Sequence, residues 1–242
     1  MGPVEAFAAP RGVFAALMRA IPVFFSARLF ALVIVPLIGA ALIWSVVAWF
    51  GWAPLAQWLG VRLFDATSGL SGLTSGVIAA LILILAAALT ALVAIAVFAM
   101  PVIVDLVAAR HFATLERRNG GTFIGSAANA LTAIALFLPL WIVSLFTLFL
   151  PPLYVAISLV LNAWLNQRMF RYDALATHAD RNELSQVISA SRRKLFLMGL
   201  VLAPLSLVPL VNFIAPLYAG VAFTHLCLDE LAVIRARHGQ PA

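Results

Sequence analysis

The chain has 242 residues, of which 64% are hydrophobic and 10% are charged, and its mean hydropathy is +1.10. A soluble domain carries roughly 45–50% apolar and about 25% charged residues, so this composition excludes an ordinary soluble protein and predicts an integral membrane protein. The net charge of +6 is explained by a basic belt that faces anionic lipids, and no nucleic-acid partner is required.

Four long stretches carry no charged residue and alternate with clusters of basic residues: 29–59, 66–104, 119–167 and 195–228. Because a spanning helix needs about 20 apolar residues, each of the first two can cross the bilayer once, and each of the last two can form a hairpin. Between the first two stretches the only basic residue is Arg62. The positive-inside rule therefore places that segment outside and both termini in the cytoplasm.

The N-terminal half is predicted to contain an amphipathic interfacial segment followed by two transmembrane helices. In the segment at 3–25, Arg11 and Arg19 are expected to snorkel, and the apolar residues near one face are Phe7, Phe14, Leu17, Met18 and Ile21. The first transmembrane helix and its outer segment are placed at 29–59, with the helix ending near Phe50. The second is a long helix at 77–118.

The C-terminal half is predicted to contain two helical hairpins, at 122–168 and 195–234, joined by a cytoplasmic surface helix at 173–194. The first is expected to bend near Leu150 and the second to turn within 208–212. Arms of about 14 residues reach only about 20 Å, so the hairpins are interpreted as re-entrant. The charge pattern alone leaves two tight spanning pairs open, since either arrangement returns the chain to the cytoplasm.

Two short patterns refine this organisation. Pro152-Leu153-Tyr154 recurs as Pro216-Leu217-Tyr218, each just after a proposed hairpin tip, which suggests an internal repeat of parallel sense. Asp180 with Glu183 has the spacing of a capping box and predicts the start of a helix.

No enzyme, cofactor or metal is predicted. The chain has no phosphate-binding loop, dinucleotide fingerprint, nucleophile elbow or metalloprotease motif. The single cysteine excludes a cysteine metal cluster, and its neighbourhood fits no strong metal motif: His225, Cys227, Asp229 and Glu230.

Four segments carry a resemblance to a known family: 24–30 (Phe-Phe-Ser-Ala-Arg-Leu-Phe) with Pro36-Leu37, Pro101 with Asp105, 170–173 (Phe-Arg-Tyr-Asp), and 207–216 (Leu-Val-Pro-Leu-Val-Asn-Phe-Ile-Ala-Pro). Over about residues 14–234 the chain resembles the CysZ-type sulfate permeases, which share a domain with the etoposide-induced membrane proteins of eukaryotes. The resemblance implies two transmembrane helices with two partially penetrating hairpins, a homo-oligomer, and sulfate uptake across a bacterial inner membrane for cysteine biosynthesis.

The resemblance also directs attention to the start of the first transmembrane helix. The family has a Gly-Leu-Arg type sequence there that is associated with sulfate binding, and this chain has Ser26-Ala27-Arg28. A guanidinium beside the free amides of a helix N-terminus suits a doubly charged oxyanion, and Ser26 adds a hydroxyl donor. The alternative is an arginine anchored to lipid phosphate.

A second group of residues is a candidate lining for a polar pathway: Asp105, Arg110, Glu116, Arg168, Arg171 and Asn212. Ionisable residues near membrane depth often face cavities, although salt bridges at the interface and hydrogen bonds between helices are the alternatives. The sequence thus predicts an all-α membrane permease for an inorganic oxyanion, with sulfate as the expected substrate. The competing function is that of a non-transporting, membrane-organising or scaffold protein.

Overall fold

The computed structural model describes residues 12–63 and 71–239, except the side chains of Leu63, Ser71, Pro209, Leu210, Asn212 and Phe213. Throughout these residues the regular secondary structure is helical: α1 (Val13–Phe24), α2 (Ala27–Leu63), α3 (Ser71–His111), α4 (Phe123–Ser144), α5 (Pro151–Ala176), α6 (Arg181–Ala190), α7 (Arg192–Leu202) and α8 (Pro209–Arg237). Short 3₁₀ helices follow α4 and α7, at Leu145–Phe149 and Ala203–Leu207.

Four helical segments are long and apolar enough to cross a bilayer: Ala27–Arg62, Gly72–His111, Phe123–Phe149 and Ile214–Arg237. The predicted all-helical membrane fold is therefore confirmed. The prediction of short arms of about 14 residues is wrong for the first arm of the first hairpin and the second arm of the second hairpin, which are both of spanning length. The re-entrant character of the hairpins stays a prediction. In each of the first three segments only 11% of the most apolar window is buried inside the protein, but in the last segment 72% is buried. The final helix is therefore surrounded mainly by protein.

The chain divides into two compact units, one of residues 27–99 and one of residues 1–26 with 100–242. In the first unit, Trp44 Nε1 of α2 donates a 3.0 Å hydrogen bond to Thr90 Oγ1 of α3. The predicted end of the first helix near Phe50 is wrong, because α2 continues through Pro54. A broken helix would expose backbone polar groups that lipid cannot satisfy, so one proline does not end it.

The bounds of the second long helix also differ from the prediction of 77–118. Helix α3 begins at Ser71 and ends at His111. Beyond it the chain is held in a non-helical path, in which the amides of Asn119 and Gly120 donate to the carbonyls of Thr177 and Ala179. These bonds to the far end of α5 replace the hydrogen bonds that a longer helix would make.

The two hairpins share one turn design. Each first arm ends in a five-residue 3₁₀ helix, a single residue follows (Leu150 or Val208), and a proline then begins the second arm. A proline fits the first helical turn because the N–H groups there have no acceptor within the helix, so a proline removes no helical hydrogen bond. The bend near Leu150 is confirmed, whereas the second turn lies at Val208 and is shorter than the predicted 208–212.

The recurring Pro-Leu-Tyr sequence does not occupy equivalent positions in the two hairpins. It begins two residues after Leu150 in the first hairpin but eight residues after Val208 in the second. The positions that do correspond are Pro151 and Pro209, each at the start of its helix. The expected repeat therefore holds for the turn geometry and not for this tripeptide.

Helix α1 packs against α8 in the second unit. Arg19 of α1 forms an ion pair with Asp229 of α8 instead of snorkelling, and Leu17 is buried. The prediction that Leu17 shares a face with the other apolar residues is wrong, because α1 is apolar on both sides and its exposed side carries Phe14, Met18 and Ile21. Phe7 and Arg11 lie outside the described residues.

A buried ion pair joins α8 to the start of α6. The Arg235 side chain is completely buried, and its Nε and one Nη donate to the Glu183 carboxylate at 2.9 and 3.1 Å. The same guanidinium donates to the carbonyls of Glu116 (3.0 Å) and His178 (2.6 Å). Glu183 also completes the predicted capping box with Asp180, which is confirmed. Four separate parts of the chain therefore meet at Arg235.

Replacing Arg235 with methionine is expected to destabilise the protein by about 3–5 kcal/mol, because Glu183 and two carbonyls lose their buried partner. Thermal unfolding in detergent measures the effect as a lowered midpoint. Arg237→Met is the matched control, since Arg237 lies on the same helix but is exposed. Equal midpoints for the two variants would contradict a structural role for the Arg235 pair.

The same pair makes stability depend on pH. Burial alone would raise the pKa of Glu183, but hydrogen bonds from Arg235 and the Asp180 amide, with the charges of Arg235 and Arg118, lower it below 4.5. The folded state then binds this proton less readily than the unfolded state, so the stabilisation is present above the ordinary pKa and is lost as pH falls through the folded pKa. In unfolding midpoints measured between pH 6 and 3, Glu183→Gln should lack this acid-dependent loss. The prediction fails if both proteins show the same pH profile.

Candidate anion-binding site

The described basic side chains fall into two groups. Five of them pair with carboxylates: Arg19 with Asp229, Arg117 with Asp105, Arg118 with Glu183, Lys194 with Glu230, and Arg235 with Glu183. The other described arginines have neither an ion pair nor a side-chain hydrogen bond to another described residue: Arg28, Arg62, Arg110, Arg168, Arg171, Arg181, Arg192, Arg193 and Arg237. Positive charge is thus left over after the internal pairing is complete.

The carboxylates show the opposite pattern. Apart from Asp173, each described Asp or Glu lies within 3.8 Å of a cationic nitrogen. Asp173 instead accepts a hydrogen bond from Ser126; burial raises its pKa, and the Ser126 bond opposes that rise. Hence, apart from Asp173, every carboxylate in the described ranges already has a cationic partner, and the arginines named above remain open to an external anion.

Arg28 is the second residue of α2, and its side chain is exposed. The first-turn amides of a helix have no acceptor within the helix and carry the positive end of its dipole. A guanidinium in this turn therefore adds a full charge to a position that already favours anions. Ala27, the first residue of the helix, is also exposed.

Ser26 lies between α1 and α2 in the chain and is 8% exposed. Its hydroxyl is buried without a hydrogen-bond partner among the described residues. A buried hydroxyl that lacks a partner costs free energy, so such groups commonly mark a ligand contact or a strained position. Of the three residues predicted from the sequence for anion binding, Arg28 thus brings an exposed charge, whereas the Ser26 hydroxyl is buried.

The predicted pathway residues do not come together in one lining. Asp105 pairs with Arg117 at 2.9 Å, and both side chains are more than half exposed. The Glu116 carboxylate lies 3.6 Å from Arg118, while Arg110 is exposed and unpaired among the described residues. Asp105 and Glu116 therefore act as partners of local arginines in this chain. The side chain of Asn212 lies outside the described residues.

Arg168 and Arg171 occupy the polar half of α5. The Arg168 guanidinium lies 5.5 Å from the ring centre of Trp164, and its Nε is buried without a hydrogen-bond partner in the described ranges. Arg171 is half-buried. The sequence indicated these two residues as pathway candidates and Arg192 as a contact for lipid headgroups, but it did not place Arg192 of α7 beside the other two.

Helix α5 also carries a stripe of polar residues on the N-terminal side of these arginines, which was not predicted from the sequence as part of the site. Ser158, Asn162 and Asn166 recur at a spacing of four residues, which places them on one helical face. Asn162 Nδ2 donates back to the Ser158 carbonyl at 2.9 Å, and the Ser158 hydroxyl is buried without a partner among the described residues. The four-residue spacing was the sequence signal that could have revealed the stripe.

Residues 16–216 match the family model described as Sulfate transporter CysZ/Etoposide-induced protein 2.4. The chain belongs to this family. The match covers the start of α2 with Arg28, both hairpin turns and the first residues of α8, so the resemblance inferred from the sequence is confirmed. No characterised protein and no solved structure matches the chain at a significant level.

Membership of the CysZ/etoposide-induced family agrees with the four long apolar helical segments and with a membrane location. It makes sulfate transport or a related activity the first function to consider. The excess of unpaired arginines gives that activity a physical basis, because an oxyanion needs cationic donors that internal carboxylates have not already taken.

Proposed function

We propose that this protein is a permease of the bacterial inner membrane that passes an inorganic oxyanion, with sulfate as its substrate, and so supplies cysteine biosynthesis. The observation that carries the proposal is the exposed guanidinium of Arg28, which has no partner in the described part of the chain and lies in the first turn of the first long apolar helix. Membership of the family supports the same activity.

Anion capture is the first step of the proposed mechanism. Arg28 donates two hydrogen bonds to a tetrahedral oxyanion, and the free amides at the start of α2 donate others. Homo-oligomerisation then supplies a polar route, and the surplus arginines bias that route towards anions.

The energetics set a condition on uptake. An interior-negative potential opposes anion entry by about 2.3 kcal/mol per charge per 100 mV, which is about 5 kcal/mol for sulfate. Electrostatic attraction to arginines lowers a barrier but does not change this difference between the two sides. Net accumulation therefore requires coupling to another gradient or rapid consumption of sulfate inside the cell.

Arg28→Ala is expected to reduce protein-dependent uptake of radiolabelled sulfate into liposomes by about tenfold or more at low sulfate, because a charge-assisted hydrogen bond contributes about 1.5–3 kcal/mol. The matched control is Arg181→Ala. Arg181 also begins a helix and is exposed, but Asp180 already caps the amides of that helix. The control should transport as the wild type does.

Two results would count against the proposal. Wild-type flux no greater than that of empty liposomes, in protein shown to be folded, would remove the sulfate assignment. Equal losses in Arg28→Ala and Arg181→Ala would reduce the role of Arg28 to general surface charge.

We further propose that both hairpins are re-entrant and return to the cytoplasmic side. The apolar part of α5, residues 151–166, reaches about 24 Å at 1.5 Å per residue, which is less than the roughly 30 Å hydrocarbon core. The apolar part of the first arm of the second hairpin, Leu195 to Leu207, reaches about 22 Å with the rises of its α-helical and 3₁₀ portions. Apolar exposed side chains at the first tip suit lipid, since Phe149 is 91% exposed.

Single cysteines at Leu150 and Val208 test this topology. The native Cys227 is completely buried, so it leaves an introduced cysteine as the reactive thiol. Re-entrant tips should resist a membrane-impermeant maleimide applied from outside, while Arg62→Cys, on the outer side by the charge pattern, should label. Outside labelling of both tips as strong as that of Arg62→Cys would show that the hairpins span the bilayer.

The competing function is a membrane-organising or scaffold role without transport. The observation that favours it is the amount of apolar surface at the first hairpin tip, where Phe146 is 77% exposed. Hairpins with such tips can thin or shape a bilayer without conducting ions. Absence of wild-type sulfate flux, together with tips that resist labelling, would favour this function.

A further inference from the structure

A cluster of three arginines lies on two packed helices of the second unit. Gly199 of α7 faces Ala163 of α5 so closely that a side chain at Gly199 would overlap the Ala163 backbone. Arg171 follows Ala163 by eight residues and Arg192 precedes Gly199 by seven. Antiparallel packing therefore brings both arginines to one level, about 11–12 Å from the contact point at 1.5 Å per residue.

Both helices also pack against α8. Phe170 of α5 stacks on Phe223 of α8, with ring centres 5.6 Å apart. At the start of α7, Ser191 donates to Glu230 of α8 at 2.7 Å. The α5 contact at Phe223 and the α7 contact at Glu230 are therefore seven residues apart on α8, which is about 10 Å along the helix axis. Burial lowers the pKa of Arg171, and the charges of Arg168 and Arg192 lower it further, which agrees with their proximity.

None of the three arginines forms an ion pair with a carboxylate in the described ranges. Of the nearby carboxylates, Glu230 is bound by Ser191 and Lys194, and Asp173 accepts a hydrogen bond from Ser126. The Arg168 Nε is buried without a partner in the described residues, and Arg171 is half-buried. Like charges held close together repel, so an anion between them stabilises this arrangement.

The start of α7 adds to the positive potential. Ser191 is its N-cap residue, yet the serine side chain makes no capping hydrogen bond, because its hydroxyl is directed to Glu230. The first-turn amides, beginning at Arg192, are therefore left without a side-chain cap. A planar guanidinium donates two parallel hydrogen bonds to phosphate or sulfate oxygens, which suits Arg192 and Arg171 for a tetrahedral oxyanion.

We propose that Arg168, Arg171 and Arg192, together with the uncapped first turn of α7, form an oxyanion-binding site separate from Arg28 that takes a tetrahedral phosphate or sulfate group. The group is carried either by an anionic lipid headgroup or by a free ion. Trp164, against which Arg168 lies, holds that guanidinium in place and offers an apolar surface beside the site. The site is independent of the transport activity proposed above.

The test uses the full chain in detergent after removal of bound lipid, with two ligand arms. In the first, phosphatidic acid is titrated and bound lipid is counted by native mass spectrometry, with diacylglycerol as the ligand lacking phosphate. In the second, radiolabelled sulfate and inorganic phosphate are titrated against protein that carries Arg28→Ala, which removes the contribution of the other site.

Arg171→Gln is expected to weaken binding by about tenfold or more in at least one arm, the size of one lost charge-assisted hydrogen bond. Arg193→Gln is the matched control, because it makes the same change of charge at an exposed arginine next to Arg192. The affinity of the Arg193→Gln protein for each ligand should stay within about twofold of the affinity of the protein without this substitution. Arg192→Gln, at an exposed position, replaces Arg171→Gln if the latter does not fold.

Each outcome decides the proposal. A loss confined to the lipid arm identifies a headgroup, a loss confined to the ion arm identifies a free anion, and either supports the site. The proposal is overturned if the parent protein binds neither ligand, if Arg171→Gln or its replacement binds both as tightly as the parent does, or if Arg193→Gln loses as much affinity.

Discussion

The buried guanidinium of Arg235 is the constraint on which the second unit depends. A charge removed from water must be paired, and here it is paired to Glu183 and to two carbonyls from other parts of the chain. The positions of α6, of the segment after α3 and of the turn after α5 are thereby defined relative to α8. The two carboxylates of α8 are paired as well, Asp229 with Arg19 and Glu230 with Lys194. An apolar helix of spanning length can therefore carry ionised groups because protein, not lipid, surrounds most of it.

This internal pairing has a consequence for function. Seven carboxylates lie in the described ranges, and six of them are engaged by cations within the chain. Arginines outnumber them, so the folded protein keeps guanidinium groups that only lipids or solutes can neutralise. The net positive charge of the sequence does not show which arginines are paired with carboxylates and which are left unpaired. The structure separates them, and it places free arginines at the start of α2 and between α5 and α7.

The parts of the fold that the sequence predicted well depend on local chemistry. The capping box at Asp180 and the bend at Leu150 follow from a few neighbouring residues, and charge spacing indicated where the apolar helices lie. The pairs that hold the second unit together join residues far apart, and Arg19 and Asp229 are 210 positions apart. Periodicity failed for α1 because both of its faces are apolar. For the candidate site, Arg28 was evident from the sequence, but whether any arginine remains unpaired depends on the complete tertiary arrangement.

The two groups of free arginines differ in how strongly they can hold an anion. Arg28 is exposed, so water screens its charge and an oxyanion bound there can leave easily. Arg171 is half-buried beside two further arginines, where reduced screening strengthens attraction to an anion. Conduction requires binding that is favourable enough for entry and weak enough for release. Arg28 therefore suits an anion in transit, whereas the α5–α7 cluster suits a group that stays bound, as a lipid headgroup does at the membrane surface.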